Sequence, residues 1–417
     1  MDYKGDISLK GKSICILHPS APDSDFRLRK TVLALSSAGA EVTVLSYDEN
    51  PERGRVDAPC RVLCYPIKLN ICHPSNNRIW LLRVLWNSTI LRVQELIQIH
   101  LNHWYGMAEI AVGLNVDLYY FINVDMLKQA VHLKELTDKP IVYESYEYFP
   151  AELKNHSYHR SRKDDKLFKL EKEVVQKCAS EVIVVGDEIA QGYVDYYGCK
   201  KPAVVYNVAS STVEDIRNTG AEVKFYFQSY LRPTYNIEAL IEAFGKTRGS
   251  ASLTIQGKAF VQEYWQALLV EIKKNPRAND IHLLGPCSHN DVVYEAGKYD
   301  VGLISISAIV GGRESASTRL SLPNKLFTYG SAGLAMAASD YPAQRRILEG
   351  FDCARYFNPE SVADLQTTLQ WFIDNRDVLD EMKKESLVFA RLYSFEEQVN
   401  TLAEVCGKAM GLDNGGK

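Results

Sequence analysis

Short apolar runs alternate with segments of helical period along almost the whole chain. In the first half, SICIL, EVTVLSY, RVLCYPI, VDLYYFI, PIVYES, EVIVV and AVVYN predict strands, several of them too continuously apolar to be exposed on one face. Helical patterns fill most of the gaps, beginning with DFRLRKTVLALSSAG, whose Gly39 suits the position just past a helix end. This alternation predicts a parallel α/β domain. A second series follows the polar connector SSTVEDIRNTGA, with strands VKFYF, ASLTIQ, DIHLLG, YDVGLISI and AMAAS and helices over 236–244, 261–273, 289–296 and 323–329. Two open α/β domains then face each other over 1–210 and 211–392. Helical patterns over 362–375 and 377–390 precede a last helix and a tail over 393–417. Sheets of this kind bind ligands beyond the C-terminal ends of their strands, so the cleft between the domains is the expected site.

A length of 417 residues agrees with two domains, because single cores stop growing well before that size. With a formal charge of -4 the chain lacks the basic surplus of a general nucleic-acid binder. Its nine Cys residues are scattered through apolar runs and form no CxxC pair, which supports neither a zinc cluster nor a disulfide framework. A reducing, cytoplasmic setting is expected. The start, MDYKGDISLKGK, has no apolar core of the signal-peptide kind. The most membrane-like region, IWLLRVLWNSTILRVQELIQIHLNHW, carries Arg83, Asn87, Arg92, Gln94 and Glu95, which are expensive at a bilayer centre. An amphipathic helix over 78–104 fits it better, leaving peripheral contact with the inner membrane face open.

Candidate chemistry gathers at the predicted strand ends. In SLPNKLFTYGSAGLAMAASDYP, Pro323 suits a first helical turn and places Asn324 and Lys325 where free amides and the helix field favour an anion. A solvated Lys at a helix start is the alternative. The loop before it offers Gly312, Arg313 and Glu314, either an anion-holding loop or a mobile surface one. Arg232 and Lys258 follow the second domain's first two strands, as diphosphate contacts or as surface charges. In the first domain YESYEYFPAEL supplies Glu144, Tyr146 and Glu147, the two acids close enough to perturb one another if both face the cleft. His18 ends the first strand, Asp25 can cap the helix after it, and Arg27 and Lys30 share a helical face that could meet an acidic acceptor.

These stretches resemble the retaining glycosyltransferases of family 4, whose GT-B architecture sets two Rossmann-like domains face to face. The resemblance rests on PDSDFRLRKTVLALSSAGAEVTVL, VYESYEYFPAEL, CASEVIVVGDEIAQGYVDYYGCKKPAVVYNVAS and, most specifically, LPNKLFTYGSAGLAMAASDYP. It implies a nucleotide-diphosphate sugar bound by the C-terminal domain and a glycan, glycolipid or small-molecule acceptor at the N-terminal one. It implies transfer with retention, generally without a metal or other cofactor, and a last helix crossing back to the first domain.

The pattern also departs from that family. Thr328 stands where the family has a ribose-binding carboxylate, and Leu320 where a second acid is common. Gln228, Ser229, Tyr235 and Asn236 replace the usual Gly-and-cation loop, and Tyr146 replaces a His. Two functions therefore compete: sugar transfer, with Arg232, Lys258, Arg313 and Lys325 steadying the leaving nucleotide and Glu147 handling a proton, or an inactive homologue that binds carbohydrate or partners a transferase. A dehydrogenase is disfavoured, since neither domain's first turn carries the Gly-rich dinucleotide fingerprint.

Overall fold

The continuously apolar runs become the inner strands of two parallel sheets. The computed structural model describes residues 7–19, 25–47, 56–65, 103–150, 162–310 and 313–412. The first sheet joins β1 (Ser13–His18), β2 (Glu41–Tyr47), β3 (Arg61–Tyr65), β4 (Leu118–Ile122), β5 (Ile141–Ser145), β6 (Glu181–Val184) and β7 (Ala203–Val204) in the order β3-β2-β1-β4-β5-β6-β7. Its helices are α1 (Phe26–Ser37), α2 (His103–Gly113), α3 (Leu127–Leu136), α4 (Arg162–Glu173) and α5 (Asp187–Tyr197). Side-chain alternation along β1 feeds two cores at once: Ile14 and Ile16 pack with Leu28 and Val32 of α1, while Cys15 and Leu17 pack with Met107, Leu127 and Tyr193 on the other face. The amphipathic segment expected over 78–104 falls almost wholly outside the described residues, and only its last two residues, in α2, are placed. Among the described residues no helix is long and apolar enough to cross a membrane.

The second sheet comprises β8 (Val223–Leu231), β9 (Ala251–Ala259), β10 (Ile281–Leu284), β11 (Val301–Ile304), β14 (Ala335–Ser339) and β15 (Ala354–Phe357), in the order β10-β9-β8-β11-β14-β15, and β12 (Ile309–Val310) and β13 (Arg313–Glu314) make a separate antiparallel ribbon. Around it lie α6 (Ile237–Gly245), α7 (Gln262–Lys274), α8 (Val292–Ala296), α9 (Ala316–Leu320), α10 (Asn324–Ser331), α11 (Pro342–Leu348), α12 (Val362–Asp374) and α13 (Leu379–Leu392). Each sheet reverses its winding once, between β1 and β4 and between β8 and β11, which is where open sheets present a crevice.

Every strand anticipated from the apolar runs is present among the described residues, though AVVYN keeps only the two residues of β7 and YDVGLISI only the four of β11. β8 and β9 run on together to Leu231 and Ala259, so Gln228 and Ser229 belong to a strand and not to a loop. The helix anticipated over 289–296 is a 3-10 turn followed by the short α8. β15, the ribbon, α9 and α11 add to the expected set; they are too short to show a period.

The chain finishes on the first domain. In α14 (Phe395–Ala409), Leu402, Ala403 and Cys406 join the cluster that holds Ile7, Ile14 and Leu35. Gln398 Oε1 accepts the Tyr206 amide at 2.8 Å, and Lys408 Nζ meets Glu181 Oε1 at 2.9 Å.

A buried charge cluster ties the connector to the second sheet. Lys383 Nζ donates to Asp300 Oδ1 at 2.6 Å, to the Arg217 carbonyl at 2.9 Å and to Thr219 Oγ1 at 2.8 Å, while Asp300 Oδ2 accepts the Lys224 amide at 2.9 Å. Asp300 and Lys383 are both almost fully enclosed. Lys383→Met should therefore lower the unfolding free energy in urea by about 3 kcal/mol, because the Asp300 carboxylate stays buried with half-exposed Arg217 and the Lys224 amide as its remaining partners. A loss below about 0.5 kcal/mol would show the cluster to be dispensable.

Candidate active site

A cavity of about 1250 Å³ lies between the two domains, at the C-terminal ends of both sheets. Its C-terminal-domain wall is built around the start of α10. Pro323 occupies the N-cap and offers no side-chain cap, so Asn324 and Lys325 are the first two helical residues, one position later than a Pro-in-first-turn reading places them. Their amides precede the helix's own bonding ladder, and the positive end of the helix dipole sits there.

Leu326, Phe327 and Tyr329 bury the inner face of α10, and Lys325 is carried in with them. Only 7% of Lys325 remains exposed, yet it lines the cavity. Its Nζ lies 4.0 Å from the Tyr235 ring centroid and 4.4 Å from that of Phe227, with no hydrogen-bond partner among the described residues. Burial pushes its pKa down to about 7. The ring faces offset part of the desolvation, but an enclosed ammonium without an acceptor remains unfavourable until an anion meets it.

The aromatic wall under Lys325 depends on the long β8–β9 pair. Past Tyr226, β8 no longer pairs with β11, and the Tyr329 hydroxyl accepts the Gln228 amide at 3.0 Å in its place. The Tyr329 ring packs over Gly302, where a Cβ would fall 2.3 Å from it. On the other side Gly257 pairs with Ser229, and a Cβ there would sit 1.8 Å from the Ser229 carbonyl oxygen. Ser229 and Arg232 consequently reach the cavity wall. Arg232 is exposed, lies over the Tyr230 and Phe260 rings at 5.1 and 5.6 Å, and has no ion pair among the described residues. The small residues at the end of α10 serve a helix contact: at Gly330 a Cβ would come 2.7 Å from Phe389 of α13.

The opposite wall starts from a capped helix. Asp25 Oδ1 accepts the amides of Arg27 and Leu28 at 2.9 and 3.0 Å, and its Oδ2 meets His18 Nε2 at 2.8 Å. Burial opposes that carboxylate's charge, but these bonds hold its pKa below the ordinary Asp value. Arg27 Nε donates to Glu144 Oε1 at 2.9 Å, a second guanidinium nitrogen adds to the same oxygen, and Tyr120 donates to Oε2 at 2.7 Å. The guanidinium also lies 4.6 Å over the Tyr146 ring. Tyr146 is fixed through its amide to Asn123 Oδ1 at 3.0 Å, while its hydroxyl is buried with no partner among the described residues.

Lys30 is one turn further along α1. Its Nζ donates to Asn207 Oδ1 at 2.9 Å and to the Val208 carbonyl. Burial, and then the charge of Arg27, push its pKa down to about 7. The two domains touch at the cavity's rim, where Phe26 stacks on His289 at 3.7 Å and Arg29 Nη1 donates to Asn290 Oδ1 at 2.8 Å. Burial, Lys30 and Arg29 together lower His289 to about 4.

Of the residues singled out from the sequence, Asp25, Arg27, Tyr146, Glu147, Ser229, Arg232, Asn324, Lys325 and Thr328 line the cavity. Three do not. His18 is buried behind Asp25, and Glu144 behind Arg27, so the expected Glu144–Glu147 pair gives way to a Glu144–Arg27 pair. Lys258 is exposed on β9, one strand outward from β8, and only its register partner Tyr230 reaches the wall. Gly312 lies outside the described residues, and Arg313 and Glu314 are placed only as backbone, in β13. Thr328 Oγ1 donates back to the Asn324 carbonyl at 3.2 Å, a local helix bond. Among the described residues no group of His, Cys, Asp and Glu forms a metal-binding cluster. Lys30, Gln228 and Tyr235, also named from the sequence, line the cavity as well, whereas Asn207, Tyr329 and His289 belong to the site without any prior sequence signal.

No protein-family model matches the sequence, and no curated protein matches it. Solved structures do match in fold. Sucrose-phosphate synthase from Thermosynechococcus elongatus superposes with a TM-score of 0.69 at 12% identity, covering 96% of this chain and 100% of its own. Anabaena HepE in complex with UDP and glucose gives 0.66 at 14%, covering 95% and 100%. A glycosyltransferase from Rickettsia africae gives 0.66 at 11%, covering 96% and 99%. The chain thus has two Rossmann-like domains in the GT-B arrangement.

The lowered pKa of Lys325 fixes a sign for stability. The folded state releases this proton before the unfolded chain does, so the ligand-free protein should gain stability as pH rises from about 7 towards the ordinary 10.5. Lys30 contributes in the same direction and over the same window. Lys325→Met should make the ligand-free protein more stable at pH 7 and flatten part of this slope in urea titrations. Destabilisation with an unchanged slope would mean that Lys325 has a counter-ion in the folded protein.

Proposed function

We propose that this protein transfers a sugar from a nucleoside-diphosphate donor to a hydroxyl group of a glycan, glycolipid or small-molecule acceptor. The observation that carries the reading is Lys325, an enclosed cation without a hydrogen-bond partner among the described residues, at an uncapped helix start on the wall of a cleft large enough for both substrates. A pyrophosphate would supply the missing counter-charge to Lys325, accept the Asn324 and Lys325 amides, and meet Arg232 at its outer side. HepE, similar in fold, has been solved with UDP and with UDP-glucose, which supports a donor of that class.

In the reaction the acceptor oxygen bonds to the anomeric carbon as that carbon's bond to the phosphate oxygen breaks. The nucleoside diphosphate departs with the electron pair, and the hydroxyl proton passes to a departing phosphate oxygen or to Glu147. Lys325 and Arg232 act where negative charge grows, on the leaving group, and they are already in place before it forms. Retention of configuration follows the family 4 resemblance and belongs to the proposal.

A second reading, a carbohydrate-binding or partner subunit without transfer, draws on Thr328, whose hydroxyl is turned to its own helix, and on Lys258, outside the cavity wall. Titration with a panel of nucleoside diphosphates separates the two. Selective binding is expected, and Lys325→Met should weaken it about tenfold or more, equivalent to about 1.4 kcal/mol. A folded protein that binds none of them would remove the transferase reading and leave the second one standing.

A further inference from the structure

The cations of the cleft divide between its two walls, and the proposed donor accounts for only one set. On the C-terminal-domain wall Lys325 and Arg232 face the pyrophosphate of the proposed donor. On the N-terminal-domain wall the described basic groups at the cavity are Arg27 and Lys30, and the acidic ones are Asp25 and Glu147. Arg27 is already matched by Glu144 behind it, and Asp25 is held by His18 and the α1 amides. Lys30 differs from these, because its two acceptors are the neutral Asn207 side chain and the Val208 carbonyl.

Nothing acidic among the described residues forms an ion pair with Lys30. The charged group that acts on it is Arg27, whose own charge Glu144 answers, so the Lys30 ammonium has no counter-charge of its own in a partly enclosed place. On the same wall the Tyr146 hydroxyl is buried without a partner among the described residues, and burial and then Glu144 raise its pKa far above the ordinary Tyr value. A neutral sugar hydroxyl could use the Tyr146 group but would leave the ammonium charge uncompensated. A phosphate can satisfy both, with one oxygen accepting from the remaining N–H of Lys30 and another from Tyr146 Oη.

We infer that the acceptor is anionic: a hydroxyl compound bearing a phosphate group, which is held on the N-terminal-domain wall by Lys30, Asn207 and Tyr146. This rests on the donor reading for its role in transfer, but the site itself is independent of it. Lys30 and Tyr146 then select the acceptor, while Lys325 and Arg232 bind the donor. The phosphate belongs to a soluble sugar phosphate or to a lipid headgroup, and the same side chains would hold either.

The test measures binding of glucose 6-phosphate and of glucose, with and without saturating UDP, and co-sedimentation with phosphatidylcholine vesicles that contain or lack phosphatidylglycerol. At least one phosphate probe should bind more tightly than its neutral counterpart, and which one binds identifies the source. Lys30→Met should weaken that binding by about tenfold, Lys30→Arg should retain most of it, and UDP affinity should change less than about twofold in both variants. Tyr146→Phe, which removes one oxygen, should weaken it severalfold and keeps the test decisive should Lys30→Met fail to fold. Equal binding of charged and neutral probes, binding of neither phosphate probe, or binding indifferent to Lys30 and Tyr146 would overturn the inference. Lys30-dependent phosphate binding by a protein that does not bind UDP would instead uphold this site and remove the donor reading.

Discussion

Placing an ammonium group inside a protein without a carboxylate is possible only where its surroundings fix it in position and something else can supply the charge. At Lys325 the fixing comes from α10, whose Leu326, Phe327 and Tyr329 commit the helix to the core and leave its second residue no route outward. The Phe227 and Tyr235 faces then take the place of water. This constraint reaches through the whole second domain. Phe227 is correctly placed only if β8 stays straight past Tyr226, and that requires the Tyr329 hydroxyl on one edge and the side-chain-free Gly257 on the other. The same helix therefore carries the cation and supports the strand that shields it.

The two walls of the cleft solve opposite problems. The first domain, Lys30 excepted, saturates its buried charges at the cleft: Arg27 with Glu144 and Tyr120, Asp25 with His18 and two amides. Such closed networks fix the geometry of the α1 start and give little charge to a ligand. The second domain leaves its cleft cations open. The walls touch at the described rim, at Phe26 with His289 and Arg29 with Asn290, and again where Arg346 of α11 meets Glu188 of α5 at 3.3 Å, contacts that join the domains without reaching Lys325.

Much of the fold was legible because continuous apolar runs of four to seven residues are what a sheet buried on both faces requires, and β1, β4, β5 and β14 carry that signature plainly. The order of strands was not legible, since periodicity says nothing about neighbours. The site was read in part. The signal at Pro323 and Lys325 is local, a helix start with its charge, and both residues line the cavity between the domains. Glu144 misled because a carboxylate at a strand end looks the same in sequence whether it faces the cleft or an arginine 117 positions earlier in the chain. Lys258 misled for a different reason. The turn after β9 was placed too early, and the continued pairing of β8 and β9 follows from a backbone approach at Gly257 that no side-chain pattern announces.

The central claim is that Lys325 waits in the cleft with a weakened hold on its proton and regains it when a pyrophosphate arrives. Calorimetric titration of UDP at pH 8 in buffers of differing ionisation enthalpy reads this directly, as protons taken up on binding. About one proton should enter the wild-type complex, and substantially less when Lys325→Arg, whose charge is permanent, replaces it. UDP binding with no proton uptake, or with the same uptake in Lys325→Arg, would contradict the account.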